Sequence, residues 1–143
     1  MYSVRIRNGA AWNSFFDIGK LVSEEEYLHV ESLYIDLLLE LAREMGIKFF
    51  TIKEFENYDA FALREGEIVG LERLSFVIQA ILRDECWGKL VNDGLEIHFG
   101  YDYIMYVVVK KTNINVKPIL NRYGEMLVID ELISPYLSND QML

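Results

Sequence analysis

The chain has a single cysteine, Cys86, among its 143 residues, so no internal disulfide can form. Cysteine usage of this kind fits a reducing compartment. Long hydrophobic runs are also missing. The longest fully apolar stretch, Tyr103 to Val109, falls far short of the roughly 20 residues that a membrane-spanning helix needs. The first seven residues, Met1 to Arg7, hold no apolar signal region. Together these absences predict a soluble, cytoplasmic protein without a membrane partner. Basic residues are scarce, with 14 Lys and Arg against 23 Asp and Glu and a formal net charge of −9. A surface of that sign repels phosphate backbones, which argues against nucleic acid and favours a basic protein as partner. The sequence has no paired Cys or His spacing, no Gly-rich phosphate loop and no nucleophile elbow, so no metal, cofactor or catalytic residue is predicted. The chain reads as a binding protein and not as an enzyme.

What is abundant is apolar and aromatic. The hydrophobic share is 52%, with 9 Tyr, 8 Phe and 2 Trp. That is ample for one buried core, and Tyr and Trp also favour interfaces, where one end of the ring stays wet. Tyr2, Val4 and Ile6 alternate with polar residues and predict a first strand. Trp12, Phe15 and Phe16 lie at helical spacing in a short segment that ends near Gly19. Ser23 and Glu26 form a capping box, and the acidic first turn suits the positive end of a helix dipole. The helix they open is expected to run to about Met45, closed by Gly46. Two apolar stripes, one through Tyr27 and Met45 and one through Leu28, Ile35 and Leu39, predict burial on more than one side.

Residues 47–55 read as a strand, residues 56–70 as a long loop, and Leu71 to about Lys89 as a further helix. Asn92-Asp93-Gly94 is a turn signal. The following stretch, Leu95 to Val109, reads as a hairpin turning at Gly100-Tyr101-Asp102. A short helix is expected over 114–123, with Pro118 near its start, and a last short strand over 126–129. The expectation is one domain over residues 1–143, of α/β (α+β) class. In it, a mixed sheet of four or five strands packs against three or four helices.

Four features invite a chemical reading. His29 sits on the polar strip of the long helix with no nucleophile placed beside it. His98 shares a strand face with Glu96 and stands near Asp102. Two candidate ligands on one strand make a weak metal signature, and a hydrogen-bonded histidine at a sheet edge is the commoner arrangement. Cys86, on what reads as an apolar helical face, is expected to be a buried structural thiol. The most informative feature is charge distribution. Between Glu54 and Glu72 stand six carboxylates and one basic residue, Arg64, interleaved with Phe55, Tyr58, Phe61 and Leu63. Rings among carboxylates on a loop match a protein-binding surface for a basic partner. The partner-contact candidates are Glu54, Glu56, Tyr58, Asp59, Glu65 and Glu67. A second acidic segment, residues 125–140, contains no Lys or Arg.

The stretch Leu95-Glu96-Ile97-His98-Phe99-Gly100-Tyr101-Asp102-Tyr103-Ile104-Met105-Tyr106 resembles a motif of the immunity proteins of bacterial polymorphic-toxin systems, of which contact-dependent growth inhibition is one. Trp12-Asn13-Ser14-Phe15-Phe16-Asp17-Ile18-Gly19 and Ser134-Pro135-Tyr136 resemble flanking blocks of the same group. Ile104 interrupts the run of tyrosines expected there. The resemblance implies a small cytoplasmic antitoxin that binds and neutralises a cognate secreted toxin domain, often a basic nuclease. No contact residue carries over by motif, because such families vary at their binding surfaces. Two other readings stand beside it. One is an acidic regulatory or adaptor domain that binds an endogenous basic protein. The other is an enzyme with a site at Glu96, His98 and Asp102.

Overall fold

The computed structural model describes residues 1–6, 15–20, 22–58, 62–100, 104–110, 115–124 and 127–131. In chain order the elements are β1 (Tyr2–Ile6), a 3-10 turn (Phe15–Asp17), α1 (Glu24–Glu44), β2 (Phe49–Asn57), β3 (Ile68–Gly70), α2 (Leu71–Leu82), β4 (Cys86–Val91), β5 (Leu95–Phe99), β6 (Met105–Val109), α3 (Lys117–Arg122) and β7 (Leu127–Glu131).

Local chemistry sets the ends of the helices. Ser23 Oγ accepts the Glu26 amide at 3.1 Å and opens α1. At the other end Gly46, at φ +70, lets the Gly46 amide reach Arg43 O at 3.1 Å and the Ile47 amide reach Ala42 O at 2.8 Å. This is a Schellman closure of the kind the sequence announces. Helix α2 is shorter than the expected run to Lys89. It stops at Leu82 because Asp84 adopts the left-handed conformation at φ +58. The Asp84 amide bonds to Ile81 O and the Glu85 amide to Ala80 O, the same closure made without glycine. Asp tolerates that conformation better than most residues. The chain then enters a strand, so Cys86 lies on β4 and not on a helix.

All strand pairings are antiparallel, in the order β3-β2-β4-β5-β6-β1-β7. The sheet therefore has seven strands where four or five are expected from the sequence. The additional ones are β3, within the expected loop, and β4, within the expected helix. The expected hairpin of residues 95–109 is present as β5 and β6, paired from Leu95↔Val109 to Phe99↔Met105. Its turn, residues 101–103, lies outside the described residues.

One face of the sheet carries the core. Val4, Phe50, Ile52, Leu90, Ile97 and Val107 join Tyr34, Leu37, Leu41, Leu74, Ile78 and Leu120 of the three helices in a single buried cluster. The molecule is thus a two-layer α+β domain. Helices α1 and α2 are joined across their interface by Glu31, which is 4% exposed. Its carboxylate accepts Arg83 Nε and an Arg83 terminal nitrogen, both at 2.9 Å, and Gln79 Nε2 at 2.9 Å. Tyr123 Oη donates to Glu40 Oε2 at 2.8 Å, and Arg122 pairs with the same carboxylate, tying the end of α3 to α1. The second apolar stripe of α1 is less covered than expected, since Leu28 is exposed and Ile35 and Leu39 are half-buried.

Candidate functional site

The acidic segment folds as the far end of the β2–β3 hairpin. Strand β2 outruns its neighbour: it pairs with β3 only from Phe49 to Thr51 and continues alone beside β4 to Asn57. Between the pairs Lys53↔Lys89 and Glu56↔Trp87, two β2 residues oppose Gly88 alone, which makes a bulge. Gly88 fits there because a Cβ would meet Ile52 Cγ2 at 3.2 Å and Lys53 O at 3.5 Å. Glu54, the first bulge residue, takes φ +53, a conformation uncommon for a residue that is not glycine.

Each carboxylate of the hairpin that is described has an intramolecular partner. Glu54 pairs with Lys89, whose side chain rises from β4. Glu56 Oε2 accepts the Tyr58 hydroxyl at 2.6 Å. Glu65 Oε1 accepts the Phe55 amide at 2.7 Å, so a side chain serves that bulge donor beyond the end of β3. Glu67 meets Arg73 at 3.1 Å. Asp59 lies outside the described residues. The sequence candidates therefore do gather at one place, but they play different parts. Glu65 and Glu67 hold the hairpin, and Glu67 is half-buried. Glu54, at 63% side-chain exposure, Glu56 and Tyr58, at 56%, face outward. Phe49 and Ile68 add exposed apolar surface at the same edge of the sheet. Their register with Thr51 puts them on the face away from the helices.

That face also holds Glu96 and His98, which are 4% and 0% exposed. A polar row crosses it along the ladder: Lys53 opposite Lys89, then His98 opposite Tyr106, Ser3 and Asp130. Lys110 Nζ stands 3.1 Å from Glu96 Oε2, and His98 Nε2 stands 3.8 Å from Glu96 Oε1. The His98 imidazole, and after it Lys110, hold the Glu96 carboxyl below its ordinary range against the opposing effect of burial. Glu96 is thus a buried carboxylate set between His98 and Lys110. Asp102, the third member of this constellation in sequence, lies outside the described residues. Among the described residues no group of three or more His, Cys, Asp and Glu is placed to hold a metal ion. His29 is exposed on α1.

Lys89 reaches Glu54, and the β4–β5 register continued from Leu90↔Ile97 sets it opposite His98. Sequence reasoning had no signal for this, because the cation comes from a strand that reads as helix. A cavity of about 390 Å³ opens at the opposite edge of the sheet, between α3 and β7, lined by Lys117, Asn121, Asp130 and Glu131 among others. Among the described residues no helix is long and apolar enough to cross a membrane.

Fold and site together define an α+β protein with an open antiparallel sheet, whose exposed carboxylates and rings collect at the end of one hairpin. No family model, no curated protein and no solved structure matches this chain.

Proposed function

We propose that the chain is an immunity protein: it binds the C-terminal domain of a cognate secreted toxin in the cytoplasm, one-to-one, and neutralises it without chemistry of its own. The toxin domain is a basic protein, a nuclease by the resemblance of residues 95–106. The observation that carries the reading is the outward-facing group Glu54, Glu56 and Tyr58, fixed on a strand bulge whose first residue is held at positive φ. Local backbone strain of this kind persists only where the surroundings enforce it, and it clusters at sites that bind. The carboxylates steer a cationic partner and raise association rates by roughly 10- to 1,000-fold at low salt. A buried ring contributes most of the final affinity. In this arrangement Tyr58 is the anchor and Glu54 and Glu56 are its acidic rim.

The test is capture of the polypeptide encoded beside this gene at micromolar concentration, followed by rescue of growth when both are expressed. Reversing Glu56 to Lys is expected to slow association at low salt and to lose that effect as salt rises. A neighbouring toxin that is neither bound nor neutralised by the intact chain ends the proposal.

A further inference from the structure

The acidic hairpin has a neighbour at its end of the molecule. The Tyr58 amide donates to Glu85 O at 3.2 Å, which ties the hairpin to the turn between α2 and β4. Two residues earlier in that turn, the Arg83 guanidinium lies 5.4 Å from the centre of the Phe15 ring. Phe15 in turn meets Tyr27 edge-on at 5.2 Å and Phe16 at 6.0 Å. Phe16 is 69% exposed, more than any other large hydrophobic residue described. Leu28, 44% exposed, stands one helical turn before Glu31 on the same stripe of α1. A path of contacts thus leads from the Tyr58 backbone, through the 83–85 turn, to the exposed Phe16, and Leu28 follows Tyr27, which meets Phe15, on α1.

The charge around this patch states what can cover it. Glu24, Glu25 and Glu26 are all exposed and take part in no ion pair among the described residues. On the hairpin Lys89 and Arg73 neutralise Glu54 and Glu67, while Glu56 and Glu65 meet a hydroxyl and a backbone amide. Negative charge without an ion-pair partner among the described residues therefore borders Phe16 and Leu28 as well as the hairpin. Size points the same way. A stable interface uses about 800 Å² and some 20–30 residues on each side, more than one hairpin end supplies.

We propose that the partner-binding face has two anchors. It runs from Tyr58 across the α2–β4 turn to Phe16 and Leu28, and it accepts a basic protein that presents apolar surface to both patches. This rests on the toxin-binding reading above. The occupant is the basic toxin domain, because an acidic rim around exposed rings rejects an acidic partner and admits a cationic one.

The experiment measures binding of the neighbour-encoded toxin domain, with its activity abolished, to four forms of the full chain: wild type, Phe16→Ala, the double variant Glu24→Gln/Glu25→Gln, and Tyr58→Ala. Phe16→Ala is expected to dissociate about tenfold faster, the change that a moderate hot spot produces. The double variant is expected to associate roughly threefold more slowly at low salt and at an unchanged rate at high salt. Melting temperatures stay within about 4 °C of wild type, because these side chains are exposed and the helix-dipole interaction lost in the double variant is small. If Phe16→Ala and the double variant bind like wild type while Tyr58→Ala weakens binding, the second anchor is overturned and the hairpin reading stands. If all three variants bind like wild type, both anchors are overturned. No binding by the wild-type chain overturns the toxin reading itself.

Discussion

Arg83 and Glu31 form a two-pronged ion pair, Nε to Oε2 and a terminal nitrogen to Oε1, each at 2.9 Å, in the seam between α2 and α1. The geometry matches the fork of a guanidinium to the two oxygens of a carboxylate. Glu31 is almost fully buried and Arg83 is about a quarter exposed, so the pair is only partly shielded from water. Its removal one side at a time should be costly. Arg83→Ala leaves a buried carboxylate with Gln79 as its remaining strong donor, and is expected to lower stability by about 3 kcal/mol. Replacing both members with apolar residues of similar size should recover most of that loss. Urea unfolding of the two single variants and the double variant checks the expectation.

Acid should unfold this protein through the same carboxylate and through Glu96. Burial pushes the Glu31 carboxyl up, but hydrogen bonds from Arg83 and Gln79 more than offset it, so the group titrates below its ordinary value. His98 and Lys110 do the same for Glu96. Both folded values are depressed, so the unfolded chain binds more protons in acid. The stability they contribute is complete above the unfolded carboxylate value of about 4.3 and is lost as pH falls through the folded values. Urea midpoints measured from pH 7 down to pH 3 should fall steeply below about pH 4.5, with a smaller acid loss in the Arg83→Ala variant.

Glu65 should matter more to the hairpin than to any partner. Its carboxylate satisfies the Phe55 amide at the bulge. Glu65→Ala is expected to cost about 1 kcal/mol locally. That corresponds to roughly fivefold faster hydrogen exchange at the Phe55 amide, with the global melting temperature nearly unchanged. A charge variant meant to probe binding therefore belongs at Glu56, which is exposed and accepts the Tyr58 hydroxyl rather than holding the bulge.

Cys86 should be inert in the native protein. Burial, and then the charge of Glu85, push its thiol up to about 11, and the residue is 1% exposed. Thiolate is the reactive form, so a disulfide reagent should label Cys86 only after denaturant is added. Rapid labelling of the folded chain would place the thiol at the surface.

The parts of the fold that were legible in sequence are those with local punctuation. Ser23 and Gly46 bracket α1, and Asn92-Asp93-Gly94 sets off β5. The end of α2 was not legible, because the closing position holds Asp84 where glycine is the usual signal, and Ile81, Leu82 and Cys86 keep a helical spacing across it. Strand β4 was lost with it. Strand β3 is three residues long, too short for alternation to register. For the candidate site, clustering of the acidic residues could be read from their order, but their partners could not. Lys89 reaches Glu54 from another strand and Arg73 reaches Glu67 from a helix, so an acidic run in sequence is a partly neutralised hairpin in space.

β1 lies between β6 and β7, the last two strands of the described residues. β1 pairs with β6 through Tyr2↔Val107 and with β7 through Tyr2↔Glu131. During synthesis β1 has no sheet partner until β6, about a hundred residues later in the chain, has been added. β6 emerges with a bare edge, which β1 then fills. Pairings so distant along the chain are slow to form. A chain broken before β7 would leave β1 held by β6 alone.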